Sequence, residues 1–330
     1  MKLITRNDRF HVVAAFLLAT QLSVASAENA CRYIEQASLE LSYADQSTTP
    51  TVAGQINGEP ARMLLDTGAG RTYIMRAEAD RQNLHPERIR QQTQGIGGLT
   101  SLFLVKVKQF GIGDARAVNL RFPVLETMEK TGIAALVGAD FLMQYDVEMD
   151  LAQNRVKLFR ADHCQDKSLA YWDQHAMSVP MTMTEGAPSP LLQVKINGVA
   201  LSALVDSGAS RTLVNLSTAR KLGFAVDAPG VTSSGKAQGI GSAKKDVWNM
   251  TFDSFSIGDE VIRQPRIGVF DDTDAFRGRI PFQMILGRDF LRAHHVLLAQ
   301  SQMQLYYSYN GGTVFAAHEP TAAITPQAAP

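Results

Sequence analysis

The sequence predicts an all-β protein built from two equivalent lobes. Three observations predict this: the 330-residue chain is long enough for two units, its blocks of sequence are duplicated, and its apolar segments are short and bounded by turn residues. The duplicated blocks occur in the same order in both halves. Such a pattern indicates one domain that was duplicated and whose loops then took small insertions.

The duplication rests on blocks whose spacing grows only from 140 to 149 residues along the chain. In order, they are Ile-Asn-Gly at 56–58 and 196–198, Asp-Thr/Ser-Gly-Ala at 66–69 and 206–209, Gln-Gly-Ile-Gly at 94–97 and 238–241, Phe-x-Ile-Gly-Asp at 110–114 and 255–259, and Gly-x-Asp-Phe-Leu at 138–142 and 287–291. One repeated tripeptide could arise by chance, but several ordered blocks could not.

The blocks also predict local structure. Asn-Gly at 57–58 and at 197–198 indicates type I′ hairpin turns, because both central residues of that turn need a positive φ. The residues at 61–65 and 201–205 suit buried strands that lead into the next block, and 105–108 alternates like a half-exposed strand. Helical turns are predicted only at the last pair of blocks.

The N-terminus predicts export. Residues 1–27 combine the basic residues Lys2, Arg6 and Arg9 with an apolar stretch and a small-x-small cleavage site at 25–27. The apolar stretch is short for a membrane anchor, which is the alternative interpretation, and no later segment reaches membrane-spanning length. We therefore expect a periplasmic or extracellular protein without a stable membrane span.

The domain boundaries follow from composition. We expect a signal peptide at 1–27, an N-terminal lobe at 28–165, a polar linker at 166–180 and a C-terminal lobe at 181–312. The residues at 313–330 are rich in alanine, proline and threonine, which is typical of a disordered tail.

Composition excludes several kinds of protein. The 32 basic and 32 acidic residues give zero formal net charge, so the basic field of a nucleic-acid-binding protein is missing. Two cysteines cannot form a four-cysteine zinc site, and we expect neither a metal nor another cofactor. In an oxidising compartment Cys31 and Cys164 could form one disulfide; two unpaired thiols are the alternative.

The repeated Asp-Thr/Ser-Gly-Ala blocks make sense as a catalytic pair. Two carboxyl groups in contact cannot both ionise cheaply, so Asp66 and Asp206 would share one proton and activate water between them. The hydroxyls of Thr67 and Ser207 could hydrogen-bond across the pair, and Gly68 and Gly208 would allow the sharp turn that brings N–H groups to the carboxylates. For either aspartate alone, capping an ordinary turn is the simpler interpretation.

These blocks resemble the active-site loops of aspartic proteases, and the details resemble the retropepsin-like branch. The glycine-rich segments resemble the flap tips of retroviral proteases, and residues 285–291 resemble their C-terminal helix. The resemblance implies an acid-protease fold, two β-barrel halves related by a pseudo-two-fold axis, with the active site at the lobe interface. The residues it assigns to the flaps and substrate binding are Gly95, Ile96, Gly97, Gly98, Gly239, Ile240 and Gly241.

Three departures from the retroviral pattern matter. Retroviral enzymes are dimers, whereas here both halves lie in one chain, so a monomer is expected. They pair the helix arginine with an aspartate that follows the active-site loop. This chain has Arg71 and Arg211 in that region, and its first repeat has Ala139 in place of the helix arginine, so that ion pair is absent or rebuilt. The second flap continues into charged residues at 244–246, and the flap glycines could also be plain hairpin turns.

This resemblance is compatible with two functions. The first is an aspartic endopeptidase that binds peptide or protein substrates in a cleft between the lobes, under the flaps. The second is a catalytically silent peptide-binding protein on the same fold. Both aspartates and both glycines of the loops are intact, which favours the enzyme.

Overall fold

The structure is a computed structural model that describes residues 30–43, 49–126, 132–273 and 282–315. The segment predicted as a signal peptide and residues 316–330 of the predicted tail lie outside these ranges. The described part is mostly strand with four short helices, and the predicted all-β, two-lobed architecture is confirmed.

The first half of the chain contains eleven strands and two helices. They are β1 (Arg32–Glu40), β2 (Ser42–Tyr43), β3 (Pro50–Ile56), β4 (Glu59–Leu65), β5 (Tyr73–Met75), α1 (Arg76–Arg81), β6 (Glu87–Gly95), β7 (Gly98–Ile112), β8 (Ala115–Leu125), β9 (Ala135–Val137), α2 (Ala139–Leu142), β10 (Asp146–Asp150) and β11 (Arg155–Asp162).

The second half repeats this order with two of the long strands divided. Its elements are β12 (Met177–Met183), β13 (Pro190–Ile196), β14 (Val199–Val205), β15 (Leu213–Asn215), α3 (Leu216–Lys221), β16 (Thr232–Ala237), β17 (Lys245–Thr251), β18 (Ser254–Ile257), β19 (Glu260–Arg263), β20 (Arg266–Phe270), β21 (Met284–Leu286), α4 (Arg288–Leu291), β22 (His294–Ala299) and β23 (Gln304–Tyr309).

The same strand pairing builds both halves. In the first, β4 runs parallel to β9, β9 runs antiparallel to β5, and β5 runs parallel to β8. In the second, β14, β21, β15 and β20 repeat these pairings and directions. The last three residues of β4 and of β14 are all buried, so both faces of each strand are covered there and its residues are apolar without alternation.

A sheet shared by the two halves joins them. It has the order β1-β11-β10-β22-β23-β12, so β10 from the first half pairs with β22 from the second. The last residues of the linker predicted at 166–180 lie in β12 of this shared sheet. One continuous apolar core runs through both halves, from Phe110 and Phe141 to Phe255 and Phe290.

The predicted hairpin turns are confirmed. Asn57 has φ 54° and Gly58 has φ 85°, and their counterparts Asn197 and Gly198 have φ 50° and 79°. Both positions of each turn are therefore left-handed, as a type I′ turn requires. The turns join β3 to β4 and β13 to β14, the strands that lead to the paired aspartates.

The helices are partly as predicted. The turns at 138–143 and 287–291 are confirmed as α2 and α4, but α1 and α3 show that the prediction of no other helix was wrong. Each of these two helices has six residues and no side-chain cap at its N-terminus, so neither helical periodicity nor a cap signals it. They form because Ala79 and Ala219 pack into the core.

The two ends of the described chain are held in place. Cys31 and Cys164 form a disulfide between the start of β1 and the end of β11, with their Cα atoms 4.5 Å apart. At the other end, Phe315, which lies within the segment predicted as a disordered tail, is buried and packs edge-on against Phe255. Within the described ranges, no helix has the length and apolar character needed to span a membrane.

Removing the disulfide is expected to destabilise the protein strongly. The bond closes a loop with a sequence separation of 133 residues, and restricting so long a loop in the unfolded chain is worth about 2–5 kcal/mol. The double variant Cys31→Ser, Cys164→Ser should therefore unfold at a lower urea concentration than the wild type. A reductant should shift the wild type in the same way and leave the variant unchanged; equal midpoints for wild type and variant would contradict this expectation.

Candidate active site

Asp66 and Asp206 lie at equivalent strand ends. Asp66 follows β4 and its N–H donates to the carbonyl of Val137 at 2.9 Å, whereas Asp206 follows β14 and donates to Leu286 at 3.0 Å. Parallel pairing with β9 and β21 therefore extends up to each aspartate. The two carboxyl groups meet where the halves join, each beside the loop glycine of the other half.

The residues after the two aspartates lock the loops together. The Thr67 hydroxyl donates to the carbonyl of Val205 at 2.7 Å and accepts from the Ser207 N–H at 3.1 Å. The Ser207 hydroxyl reciprocally donates to the carbonyl of Leu65 at 2.9 Å and accepts from the Thr67 N–H at 3.1 Å. Both hydroxyls are buried, so these four hydrogen bonds fix the loops relative to each other in surroundings from which water is excluded.

The two loop glycines are required by close approach. A Cβ atom on Gly68 would lie 2.3 Å from Cγ of Asp206, and one on Gly208 would lie 2.4 Å from Cγ of Asp66. Neither glycine has a positive φ, so the backbone conformation of the turn does not by itself require glycine at these positions. Each glycine instead leaves the space that the carboxyl group of the other half occupies.

Backbone N–H groups point at both carboxyls. Oδ1 of Asp66 accepts from the Ala69 N–H at 2.8 Å. Oδ1 of Asp206 accepts from the N–H groups of Gly208 at 2.8 Å and Ala209 at 2.9 Å. Since these bonds favour the ionised form, the loops stabilise the single negative charge that a proton-sharing pair carries.

Burial dominates the acidity of the pair. It raises the pKa of Asp206 above the ordinary value for an aspartate. Four groups oppose this shift without cancelling it: the Ala209 N–H, the Asp66 carboxyl, the Gly208 N–H and the charge of Arg288. Because the raised pKa belongs to two coupled carboxyls, the pair retains a shared proton to a higher pH than two separate aspartates would.

A second pair of aspartates, one on α2 and one on α4, stabilises the loops that carry Asp66 and Asp206. The Thr72 hydroxyl donates to Asp140 of α2 at 2.7 Å and accepts from the Gly138 N–H at 3.0 Å. In the other half, Thr212 makes the same contacts with Asp289 at 2.6 Å and Gly287 at 3.0 Å. Sequence analysis did not assign these residues, although the repeated Arg-Thr at 71–72 and 211–212 and the repeated Gly-x-Asp could have indicated them.

The two flap tips lie against each other. The Gly97 N–H donates to the carbonyl of Ile240 at 2.9 Å, and Gly97 in turn accepts from the Ala243 N–H at 3.0 Å. Ile96 packs against the apolar cluster of the second half that includes Ala209. Ile240 packs against the cluster of the first half that includes Ala69. Each tip therefore crosses to the other half and lies close to its catalytic loop.

The two flaps differ in shape. In the first, β6 ends at Gly95 and β7 begins at Gly98, so the hairpin is tight, and Gly98 has φ 93°. In the second, β16 ends before residue 238 and β17 begins at Lys245, so a seven-residue loop replaces the tight turn. Gly239 lies in that loop, where an added Cβ would be 3.4 Å from Cβ of Ile96.

Comparison with protein families identifies both halves. A family model described as aspartyl protease matches residues 192–290, and one described as the gag-polyprotein aspartyl protease matches residues 52–144. A search of curated protein sequences gave no match. Each family match contains one of the paired aspartates and its helix.

The chain is a retropepsin-like aspartic protease. It carries two such domains in tandem, which agrees with the duplication seen in the sequence and with the paired β-sheets. Protease activity in general follows from this membership. The structure places the two predicted dyad residues together and the two predicted flap tips against each other. Thr72, Thr212 and their aspartate partners, which were not predicted, stabilise the loops that carry the dyad.

The arginine of α4 is used differently here from the retroviral pattern. Nη1 of Arg288 donates to the carbonyl oxygens of Ser207 at 3.2 Å and Gly208 at 2.8 Å. Among the described residues, no carboxylate lies within ion-pair distance of its guanidinium. The ion pair of the retroviral enzymes is therefore replaced by hydrogen bonds to the backbone of the catalytic loop.

Proposed function

We propose that this protein is an aspartic endopeptidase whose catalytic residues are Asp66 and Asp206. The observation that carries the proposal is the reciprocal locking of the two loops, which holds the two carboxyl groups together between the halves. A rigid pair of carboxyls in dense surroundings shares one proton, and one member is then a base while the other is an acid.

The chemistry follows from that single proton. The ionised carboxylate takes a proton from a water molecule as the water oxygen bonds to the peptide carbonyl carbon. The protonated carboxyl gives its proton to the carbonyl oxygen, which forms a neutral tetrahedral diol. The C–N bond then breaks as the amine nitrogen receives the proton taken from water, and a diol hydroxyl returns a proton to the other carboxyl. Both carboxyls end in their starting states.

The flaps suit an extended peptide substrate. Ile96 and Ile240 pack against apolar clusters beside the two catalytic loops, so a peptide under the flaps would meet apolar surfaces on both sides of the scissile bond. Because the tips are in contact with each other, they must separate before a peptide can enter. We therefore expect cleavage between apolar residues.

The setting of this activity is part of the proposal. The disulfide between Cys31 and Cys164 fits an oxidising compartment, and residues 1–27 fit an export signal, so we propose a periplasmic or extracellular enzyme. Since both halves of the site belong to one chain, a monomer can carry the whole site. No metal or organic cofactor takes part in the steps above.

Cleavage-site profiling tests the proposal. The purified protein is incubated with a peptide library from acidic to neutral pH, with and without a statine-type inhibitor, and new termini are read by mass spectrometry. We expect cleavage between apolar residues that the inhibitor suppresses. Inhibitor binding without cleavage at any pH would favour the silent peptide-binding protein, and the absence of both would overturn the assignment to this site.

A further inference from the structure

The two helices below the catalytic loops differ in one important side chain. The N–H of Ala139 in α2 donates to the carbonyl of Ala69 at 2.8 Å, and the N–H of Arg288 in α4 donates to Ala209 at 3.0 Å. The backbones are therefore equivalent, but one helix carries a methyl group where the other carries a guanidinium. The pseudo-two-fold symmetry of the site is broken by a positive charge.

That charge lies on the side of Asp206. Only 4% of Arg288 is exposed, and Nη1 is bonded to the carbonyls of Ser207 and Gly208, the two residues that follow Asp206. Burial lowers the pKa of Arg288, and the charges of Asp206 and then Asp66 are the largest effects that raise it. The dyad is therefore the main source of negative charge acting on this buried cation.

The other charged groups around the dyad are either matched between the halves or placed elsewhere. Asp140 and Asp289 occupy equivalent positions, as do Arg71 and Arg211. Arg71 is exposed, whereas Arg211 is half-buried and its Nη1 donates to the hydroxyl of Ser234. The remaining groups near α4 are Arg292, which is exposed and lies over the ring of Tyr43, and His294, which is bonded to Glu260.

Screening and pairing reduce the effect of these remaining groups. Water and salt screen the exposed charges of Arg71 and Arg292, and His294 has a carboxylate of its own. Arg211 is half-buried, and the negative charge that raises its pKa is that of Asp289. Among the described residues, Arg288 is thus the fully buried cation without a carboxylate partner and without a counterpart in the first half.

We propose that Arg288 fixes the charge distribution of the resting dyad, so that Asp206 is the ionised member and general base while Asp66 keeps the shared proton. Arg288 is bonded to the loop that carries Asp206, and Ala139 takes its place in the first half, so the negative charge is more stable on Asp206. This inference rests on the proposed function, since it assigns the two roles that the mechanism left open.

The hydrogen bonds agree with this assignment. The two N–H groups of Gly208 and Ala209 donate to Oδ1 of Asp206, which stabilises a negative charge on that carboxyl. Asp206 then removes the proton from water, and Asp66 protonates the peptide carbonyl. Arg288 acts through its charge and its bonds to the loop backbone, and is a positioning residue.

The pH profile of kcat/KM measures the effect of the charge. Arg288→Met removes the cation, which destabilises the carboxylate, so the acidic limb should move upward by about one pH unit or more. Arg288→Lys keeps a positive charge, so its acidic limb should stay close to that of the wild type. Arg292→Met removes an exposed cation from the end of the same helix and should leave the profile unchanged. A misfolded fraction that is the same at every pH lowers kcat/KM without moving the limb, so the folded fraction of each variant is measured by circular dichroism over the same pH range.

Carbon-13 NMR of labelled aspartate carboxyls measures the charge distribution directly. With the two resonances assigned from Asp66→Asn and Asp206→Asn, wild type at mildly acidic pH should show a protonated Asp66 and an ionised Asp206, and Arg288→Met should reduce the difference. The reverse assignment, or a profile for Arg288→Met that superimposes on wild type, would overturn the inference. If wild type cleaves no peptide, the proposed function fails while the NMR result still decides the charge distribution.

Discussion

Replacing either paired aspartate with asparagine is expected to lower kcat/KM for a peptide substrate by about 10³-fold or more. Asparagine has the same shape but cannot exchange a proton, so Asp66→Asn or Asp206→Asn leaves one carboxyl to serve as both base and acid. The loops should keep their fold, because the hydrogen bonds between Thr67 and Ser207 and the opposite strands do not involve the carboxyls. Steady-state kinetics with a peptide found by cleavage profiling give the measurement.

Asp114 and Asp259 provide the matched control. They occupy equivalent positions in the repeat, in exposed turns after β7 and β18, and their replacement with asparagine should leave kcat/KM unchanged. Near-normal activity in either dyad variant would show that the site uses a different pair of groups. Equal losses in the control variants would show that the assay reports stability.

The second large effect is expected at the loop glycines. A methyl group at Gly68 would overlap the carboxyl of Asp206, and one at Gly208 would overlap that of Asp66, so each alanine variant must push the two halves of the dyad apart. We expect Gly68→Ala and Gly208→Ala to lower kcat/KM by about 10²-fold, since small displacements of reacting groups are costly.

Gly198→Ala is the control for loss of a glycine. Gly198 has φ 79° in a hairpin turn with no atom near the added Cβ, so this variant should lose some stability and retain normal kcat/KM. If Gly68→Ala or Gly208→Ala behaved like Gly198→Ala, the close contact between glycine and carboxyl would not matter for catalysis.

The duplication explains why much of the fold and the dyad were predictable from the sequence. Asn57 and Asn197 set type I′ turns by local conformation alone, and the apolar strands that follow must be buried on both faces. Asp66 and Asp206, polar residues at the ends of such strands, then have to lie together if the two halves pack as equivalents. Repetition converts two weak local patterns into one specific hypothesis.

Features that depend on contacts distant in sequence were not predicted. The pairing of β10 with β22 joins residues about 150 apart, and neither strand indicates its partner. Likewise, the role of Gly68 comes from a carboxyl 138 positions away. The role of Thr72 and Thr212 depends on hydrogen bonds to the helix aspartates, which are distant in sequence. Phe315 lies in a sequence typical of disorder, yet it is buried against the core.

The central claim is that the two halves of one chain build one catalytic site, and titration calorimetry with a statine-type inhibitor tests it most directly. We expect wild type to bind one inhibitor molecule per chain, and Asp66→Asn and Asp206→Asn each to weaken binding strongly. Two inhibitor molecules per chain, one per two chains, or unchanged affinity in either variant would contradict a single site shared by Asp66 and Asp206.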